Sequence, residues 1–278
     1  MRLWHQFLYL TVFDPVHIAT WNINGVKARI DTVKAWLEEA SPDVACLQEI
    51  KSEDAPFPRQ ALEDLGYLVE THGQKGFNGV AILSKTPLED VTRGLPGDDS
   101  DEQARFITAR VTPAEGSSLP AIRVACLYLP NGNPIATEKF PYKLGWMERL
   151  LAFASEALEA EEPLVLAGDY NVIPDARDLH DESVWKGDAL YQPESRGALR
   201  RLEALGYTDA VRAVSDDVHF TFWDYQGGAW QKNHGIRIDH LMLSPQLADR
   251  LTTVRVDDHV RAWEKPSDHV PVVGAFEA

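Results

Sequence analysis

Cysteine is scarce in this sequence. Its 278 residues include only two cysteines, Cys46 and Cys126, and both lie in apolar runs, where a free thiol packs as a small hydrophobic side chain. A framework of disulfide bonds is therefore excluded, and we expect a protein of a reducing compartment such as the cytoplasm. No segment holds the roughly 20 consecutive apolar residues that a membrane-spanning helix needs, so we expect no membrane partner.

Positive charge is also in short supply. The chain has 27 Lys and Arg against 43 Asp and Glu, a formal net charge of −16. Proteins that bind nucleic acid usually carry a basic face, so the composition by itself counts against such a partner. The acidic stretch 156–162 is typical of a solvated helix face, and a bound metal ion would neutralise further carboxylates. Any contact with DNA must therefore come from individual loops.

The remaining composition describes one large globular unit. Hydrophobic residues make up 44% of the chain, eight tryptophans are present, and no internal repeat or low-complexity linker divides it. We expect a single domain over residues 16–278. Residues 1–15 combine one Arg with a short apolar stretch but lack a small-residue cleavage site, so we interpret them as an appended N-terminal extension or a start-site artefact.

Short apolar, β-branched runs between turn residues predict a sheet-rich fold. Ten of them would need two sheets or a barrel, and we expect strands at 17–21, 44–47, 79–83, 106–111, 122–129, 164–167, 219–223, 236–243, 251–256 and 270–276. Apolar residues at three-and-four spacing predict a helix over residues 30–40 and another after Pro141, and a weaker pattern covers 193–205.

Several predicted strands end in polar residues, and functional side chains collect in such places. After the first strand, Asn22 and Asn24 alternate with apolar neighbours and so point to one side, although this motif taken alone is better explained as an Asn-Gly turn that leads into a helix. The second strand ends at Glu49, either a solvated carboxylate or a ligand for Mg²⁺, with Lys51 two residues further on and able to meet a phosphate.

The run Leu164–Asn171 gives the most specific local signal, because an apolar strand breaks at Gly168 into Asp169 and Asn171 on the same side. A carboxylate beside an amide can hold and deprotonate a water molecule. The predicted strand 122–129 likewise ends in Tyr128 and Asn131, which can donate to a phosphate, although Tyr128 can equally be a core aromatic.

Near the C-terminus, histidine and aspartate occur side by side. Asp239 lies inside an apolar strand pattern, where a carboxylate is unfavourable unless it is paired. The pair Asp268 and His269 precedes the last predicted strand and offers the partner, because an Asp that accepts from a His fixes its tautomer and keeps a proton available for a phosphate oxygen.

Together these segments resemble the exonuclease III class of apurinic/apyrimidinic endonucleases, within the endonuclease/exonuclease/phosphatase superfamily. The resemblance runs from about Val16 to the C-terminus. GDYN at Gly168 and SDH at Ser267 mark the superfamily at large, whereas GLPGDD at Gly94 and HGQKG at His72 point to its DNA-repair branch. Further matching stretches are WNINGVKAR, LQEIK, YLPNG, TFWDY, RIDH and KPSDH.

The resemblance implies an α/β (α+β) four-layer sandwich, in which two mainly antiparallel β-sheets pack face to face with helices outside. It implies Mg²⁺, replaceable by Mn²⁺, as cofactor, and assigns roles to individual residues. The implied metal ligands are Asn24, Glu49, Asp169, Asn171, Asp268 and His269. The implied catalytic residues are Tyr128, Asp169, Asn171, Asp239 and His269. The implied substrate contacts are Asn22, Lys51, Asn131, Phe222 and Trp223.

The implied function is a DNA-repair phosphodiesterase, active as a monomer at the nucleoid, which uses water to incise duplex DNA 5′ to abasic sites and to trim 3′ ends. Expected loop contacts to DNA are Lys27, Arg29, Lys51, Lys75, Arg105, Lys139, Lys143 and Lys232, with one of Phe222 and Trp223 beside an extruded sugar. Two alternatives stay open: an enzyme of the same fold acting on lipid or inositol phosphates, which suits the acidic charge, and a non-catalytic binding module.

Overall fold

The computed structural model describes residues 14–278. The N-terminal extension expected over 1–15 lies outside the described residues, apart from Asp14 and Pro15. The strands are β1 (Val16–Asn22), β2 (Val44–Gln48), β3 (Leu68–His72), β4 (Val80–Ser84), β5 (Leu88–Arg93), β6 (Phe106–Val111), β7 (Ile122–Tyr128), β8 (Leu164–Asp169), β9 (Thr208–Asp209), β10 (Asp239–Leu243), β11 (Leu251–Val256) and β12 (Val272–Phe276). The α-helices are α1 (Val26–Ala40), α2 (Arg59–Glu63), α3 (Lys139–Glu159), α4 (Glu182–Trp185), α5 (Pro193–Leu205), α6 (Ala210–Val214) and α7 (Pro245–Ala248), and 3₁₀ helices cover Ala176–Asp178 and Asp258–Ala262.

The strands form two six-stranded sheets. Their orders are β11-β12-β1-β2-β4-β3 and β5-β6-β7-β8-β10-β9. Only the pairs β1–β2 and β7–β8 are parallel, and the other pairings within the described residues are antiparallel. The predicted fold class, two mainly antiparallel sheets, is confirmed.

Three apolar layers hold the sandwich together. The sheets face each other through branched side chains such as Ile18 and Ile82 on one sheet and Val124 and Val165 on the other. Helix α1 covers the outer face of the first sheet, while α3 and α5 cover that of the second. Burial of apolar surface stabilises all three contacts, at roughly 25 cal/mol per Å². Helix, sheet, sheet and helix make the four layers that the resemblance implied.

Each parallel pair is part of a β-α-β unit, β1-α1-β2 in one sheet and β7-α3-β8 in the other. Because parallel strands end at the same edge of their sheet, the loops after these four strands lie close together, and such edges are where α/β folds place ligands. The antiparallel partners add residues from their opposite ends: Asp239 opens β10 directly across from Asp169, which closes β8.

The predicted strand over 219–223 is wrong. This segment is irregular and makes only isolated bridges at Phe222, to Ile236 and to His269. Its alternation of aromatic residues arises because Trp223 and Phe222 pack into different apolar clusters, not because the segment lies in a sheet. The strand predicted from residue 236 begins only at Asp239, and the expectations missed β3, β5 and the two-residue strand β9.

None of the helices formed by residues 14–278 has both the length and the apolar character required to cross a bilayer.

Candidate active site

The polar residues singled out in the sequence meet at the edge where β1, β2, β7 and β8 end. Asn22 lies at the centre of this edge, fully buried. Its Nδ2 donates to Glu49 Oε1 at 2.9 Å and to Asp169 Oδ2 at 2.9 Å, and its Oδ1 accepts from the backbone N–H of Asn24. The expected substrate contact is therefore wrong for Asn22: its amide is already used, and it fixes the spacing of two carboxylates from different sheets.

A cation already lies among the oxygens of the first sheet. The ammonium of Lys51 is 2.8 Å from Glu49 Oε2 and also donates to Asn24 Oδ1. Asn24 Nδ2 in turn donates to Asp268 Oδ1 at 3.0 Å. Burial alone would raise the pKa of Glu49, but the hydrogen bonds from Asn22 and Lys51 outweigh it and hold that pKa below its usual value. Glu49 is thus an ionised carboxylate with a cation on one oxygen.

Asp169, Asp239 and His269 form a second cluster, almost fully buried. His269 Nδ1 donates to Asp239 Oδ2 at 2.9 Å, and His269 Nε2 lies 3.7 Å from Asp169 Oδ2. Burial would lower the pKa of His269, but the carboxylates of Asp239 and Asp169 raise it above its usual value. Burial raises the pKa of Asp169, against the opposing charge of His269. The cluster therefore holds an imidazolium whose Nε2–H is free for a phosphate oxygen.

Two sets of side chains can hold a metal ion. Ligand atoms of Asp169, Asp239 and His269 lie within 4.8 Å of one another, but there an ion would have to displace the proton that His269 shares with Asp239. Glu49 and Asn24 instead point hard oxygens at a position that a Lys51 ammonium already occupies, which suits Mg²⁺. We favour the Glu49 set for the ion and the histidine set for proton and phosphate contacts.

A third polar group lies at the same edge, on the second sheet. Asn131 Nδ2 donates to Asn171 Oδ1 at 3.0 Å, and Asn171 Nδ2 donates to the carbonyl of Leu129. The backbone N–H of Asn171 donates to Asp169 Oδ1 at 2.9 Å. Burial, with the nearby Glu49 and Asp169 carboxylates, raises the pKa of Tyr128 well above its usual value, so its hydroxyl remains a donor. The two asparagines therefore act as one linked pair.

Lys143 binds the backbone of the two loops that carry Asn131 and Asn171. It was expected to contact DNA, but it is fully buried in α3 and that expectation is wrong. Its Nζ donates to the carbonyls of Asn171 at 2.6 Å, Pro130 at 3.1 Å and Asn131 at 3.2 Å, so all three N–H bonds of an ammonium are used. Gly132 leaves the necessary room, since a Cβ there would lie 2.7 Å from the lysine Cδ. Burial lowers the pKa of Lys143 to about 7.

Replacing Lys143 with methionine is expected to lower kcat by about 10- to 100-fold, because the loops that carry Asn131 and Asn171 lose their common donor and shift by a fraction of an ångström. Steady-state kinetics with a cleavable duplex measures the effect. Lys34→Met, a lysine on the outer helix α1, is the matched control. Equal kcat values for the two variants would show that the three carbonyl contacts do not position the site.

The backbone is strained at the same edge. Asn24, Glu49, Lys51 and Asn171 all have φ between 46° and 50°, the left-handed region that non-glycine residues avoid at a cost of about 1–2 kcal/mol each. The surrounding contacts of Asn22 and Lys143 maintain these conformations. Strain of this kind is typical of functional sites, and nothing in the local sequence signalled it.

The structure separates the two predicted aromatic contacts. Phe222 is partly exposed and meets the His269 ring edge-on at 4.9 Å between centroids, so it borders the site. Trp223 is only 3% exposed and packs against Phe220 and Trp230. The expected substrate contact is therefore wrong for Trp223, which belongs to the core.

A buried ion network behind the site escaped sequence reasoning. Arg237, fully buried, pairs with Asp178 at 2.6 Å and with Asp209 at 2.7 Å, and it donates to His240 Nδ1 at 3.0 Å. His240 Nε2 contacts the carbonyl of Val172 at 3.2 Å. The network ties the loop after Asn171 to the strand that carries Asp239. An arginine within a predicted buried strand was the available signal, but its partners lie in segments without any pattern.

Two carboxylates joined by an amide, an imidazolium and a linked asparagine pair at one edge of a two-sheet sandwich define a hydrolase of phosphate esters. The model of the Endonuclease/Exonuclease/phosphatase family matches residues 19–269. The chain belongs to this family.

The similarity covers most of this chain and nearly all of each relative. It is 36% identical to exodeoxyribonuclease III of Haemophilus influenzae over 267 residues, which is 93% of this chain and 98% of the relative. It is 36% identical to an AP endonuclease from Archaeoglobus fulgidus, with a TM-score of 0.88 and coverage of 95% and 100%. A variant of the 3′ phosphatase NExo from Neisseria, bound to a product DNA hairpin, gives 36% identity, a TM-score of 0.89 and the same coverage. The resemblance to the exonuclease III class is confirmed.

Proposed function

We propose that this protein is a Mg²⁺-dependent DNA-repair phosphodiesterase that incises duplex DNA on the 5′ side of abasic sites and trims 3′ ends. One observation carries the proposal: the Asn22 amide joins Glu49, which faces a cation, to Asp169, which lies beside the His269 imidazolium. Metal-assisted phosphodiester hydrolysis needs these three functions side by side: a hard-oxygen ligand, a base for water and a donor for the phosphate.

In the proposed reaction Asp169 accepts the proton of the attacking water. Its pKa, raised by burial, lies closer to neutral pH than that of a solvated aspartate, which makes it a better base. His269 Nε2–H and the hydroxyl of Tyr128 donate to the phosphate oxygens, where charge develops. Asn171 orients the water or the phosphate from the opposite side. The water oxygen bonds to phosphorus while the bond from phosphorus to the 3′ oxygen breaks, and that oxygen takes a proton from solvent, so a 3′-hydroxyl and a 5′-phosphate result.

A divalent ion fits the donors of Glu49 and Asn24, with Asp268 next to them through Asn24. When bound, the ion supplies Lewis-acid stabilisation of charge on the phosphate and leaving oxygens. Lys51, the cation now on those oxygens, is exposed enough to turn towards a phosphate instead. Carboxylate and amide oxygens favour Mg²⁺ and admit Mn²⁺.

The DNA substrate is supported by the similarity to exodeoxyribonuclease III and to a 3′ phosphatase that binds a DNA hairpin. Phe222 gives the site an apolar wall next to His269, suited to a sugar that carries no base. The Neisseria relative also favours a second candidate activity, removal of 3′-terminal phosphate, by the same chemistry. We further propose that the protein acts as a monomer in the cytoplasm.

Incision of a labelled duplex that carries one abasic analogue tests this function. With Mg²⁺ we expect cleavage 5′ to the analogue, loss of cleavage when a chelator is added, and recovery on addition of Mn²⁺. Two further substrates are assayed in parallel. One is a duplex that ends in a 3′-phosphate, and the other is an inositol polyphosphate. Removal of the 3′-phosphate without incision would restrict the function to 3′-end cleaning, whereas turnover of the inositol phosphate alone would overturn the proposal of a DNA substrate.

A further inference from the structure

A polar pocket opens beside the candidate active site, on the second sheet. Its volume is about 310 Å³. The lining residues that matter here are Arg105, Lys139, Asn131 and Asn133. The pocket adjoins the site through Asn131, whose amide also donates to Asn171. A molecule that enters the pocket is therefore one side chain away from the reacting phosphate.

Two of the pocket's side chains are cations that form no ion pair within the described residues, and the nearest carboxylates, Asp101 and Asp188, accept hydrogen bonds from Tyr142 and Asn133 instead. In the part of the chain from 14 to 278, neither Arg105 nor Lys139 forms a salt bridge. Five other buried or half-buried arginines of the described residues do have acidic partners, namely Arg110, Arg123, Arg149, Arg212 and Arg237. The positive charge in the pocket is therefore available to an anion from outside.

The guanidinium of Arg105 is held in place before any ligand arrives. Its Nε donates to Gln103 Oε1 at 2.7 Å, one terminal nitrogen donates to the carbonyl of Tyr128 at 3.2 Å, and its Cζ lies 4.7 Å from the Tyr128 ring centroid. An arginine fixed in this way loses little side-chain entropy when it binds an oxyanion. Lys139, the first residue of α3, lines the same pocket and is exposed, so its flexible side chain can turn towards the same anion.

We propose that this pocket binds a phosphodiester group of the cleaved strand that neighbours the reacting one. The inference rests on the proposed function, since it assumes a nucleic acid strand in the site. Asn131 then lies between the two phosphates. Its amide donates to Asn171 at the reacting phosphate, and the same side chain lines the pocket that holds the neighbouring phosphate. In a chain of net charge −16, a pocket with two unpaired cations gives local attraction for DNA without a basic face.

The test pairs a change in the protein with a change in the DNA. Binding of a duplex with one abasic analogue is measured with chelator present, for wild type and Lys139→Gln, across a range of salt concentrations. A series of duplexes carries a single uncharged methylphosphonate at each position that flanks the scissile phosphate. Lys85→Gln is the control, because it removes the same charge at the edge of the first sheet opposite to Glu49. There Lys85 pairs with Asp43.

We expect Lys139→Gln to weaken binding by about 5-fold and to reduce the slope of log K against log salt by about 1. At one methylphosphonate position, wild type should lose a similar factor and Lys139→Gln should lose nothing more, while Lys85→Gln behaves as wild type throughout. Equal losses for Lys139→Gln and wild type at every position would overturn the pocket assignment. Wild type that cleaves no abasic duplex with Mg²⁺ would instead contradict the proposed function itself.

Discussion

Substituting Asp169 with asparagine is expected to lower kcat by about 10²- to 10⁴-fold, the range that a positioned general base contributes. The amide is nearly isosteric, so it preserves the contact with the backbone N–H of Asn171, but it cannot accept a proton from water. Single-turnover cleavage of the abasic duplex at saturating Mg²⁺ measures the chemical step directly. Asp216→Asn is the control, since the Asp216 side chain is 98% exposed and pairs with Arg177 rather than with a residue of the candidate active site.

The pH profile adds a second readout for Asp169. Burial raises its pKa, so in the free enzyme the carboxylate becomes protonated at a higher pH than a solvated aspartate does. Because the base must be ionised, kcat/KM of the wild type should rise with pH through that range. Asp169→Asn should lack this rise. A variant that keeps wild-type kcat, or that keeps the same acidic limb, would contradict the assignment of Asp169 as the base.

The sheet edge that carries the candidate active site was predictable because its residues interrupt strong apolar patterns. Glu49 and Asp169 each follow a run of buried strand residues, and Asp239 lies inside one. A polar side chain in such a position is unfavourable unless it is paired or functional, so its presence is informative without any structure. The expected chemistry of the site followed from residue type, since carboxylates, amides and one histidine suit metal-assisted hydrolysis.

What the sequence concealed is which of these residues point at one another. Alternation placed Asn22 on the rim, whereas the meeting of two sheets puts it between two carboxylates. Lys143 looked like a surface cation, although its spacing of four before Met147 placed it on the buried face of α3. Strands β3 and β5 were missed because more than half of their residues are polar, which weakens the apolar signal.

The ion network behind the site gives the largest expected change in stability. Replacing Arg237 with methionine should lower the free energy of unfolding by about 3–5 kcal/mol, because it leaves the buried carboxylates of Asp178 and Asp209 without their counter-charge. Urea denaturation at neutral pH measures the loss. Arg201→Met is the matched control: it breaks a pair with Glu148 in which both side chains are more than half exposed, and should change stability by less than about 1 kcal/mol.

The dependence of stability on pH should reverse its sign in Arg237→Met. In the wild type, burial alone would raise the pKa values of Asp178 and Asp209, but Arg237 holds both below their usual range. Their contribution to stability is therefore present above the pKa of the unfolded chain and is lost as pH falls through the folded values. Without the guanidinium, burial raises the pKa of Asp209, because burial is the largest influence on that pKa and Arg237 is the largest opposing one. The variant should then gain stability as pH falls towards 5, because protonation removes the unpaired buried charge. Parallel unfolding curves for the two proteins at pH 5 and pH 7 would show that Arg237 does not set the ionisation of this network.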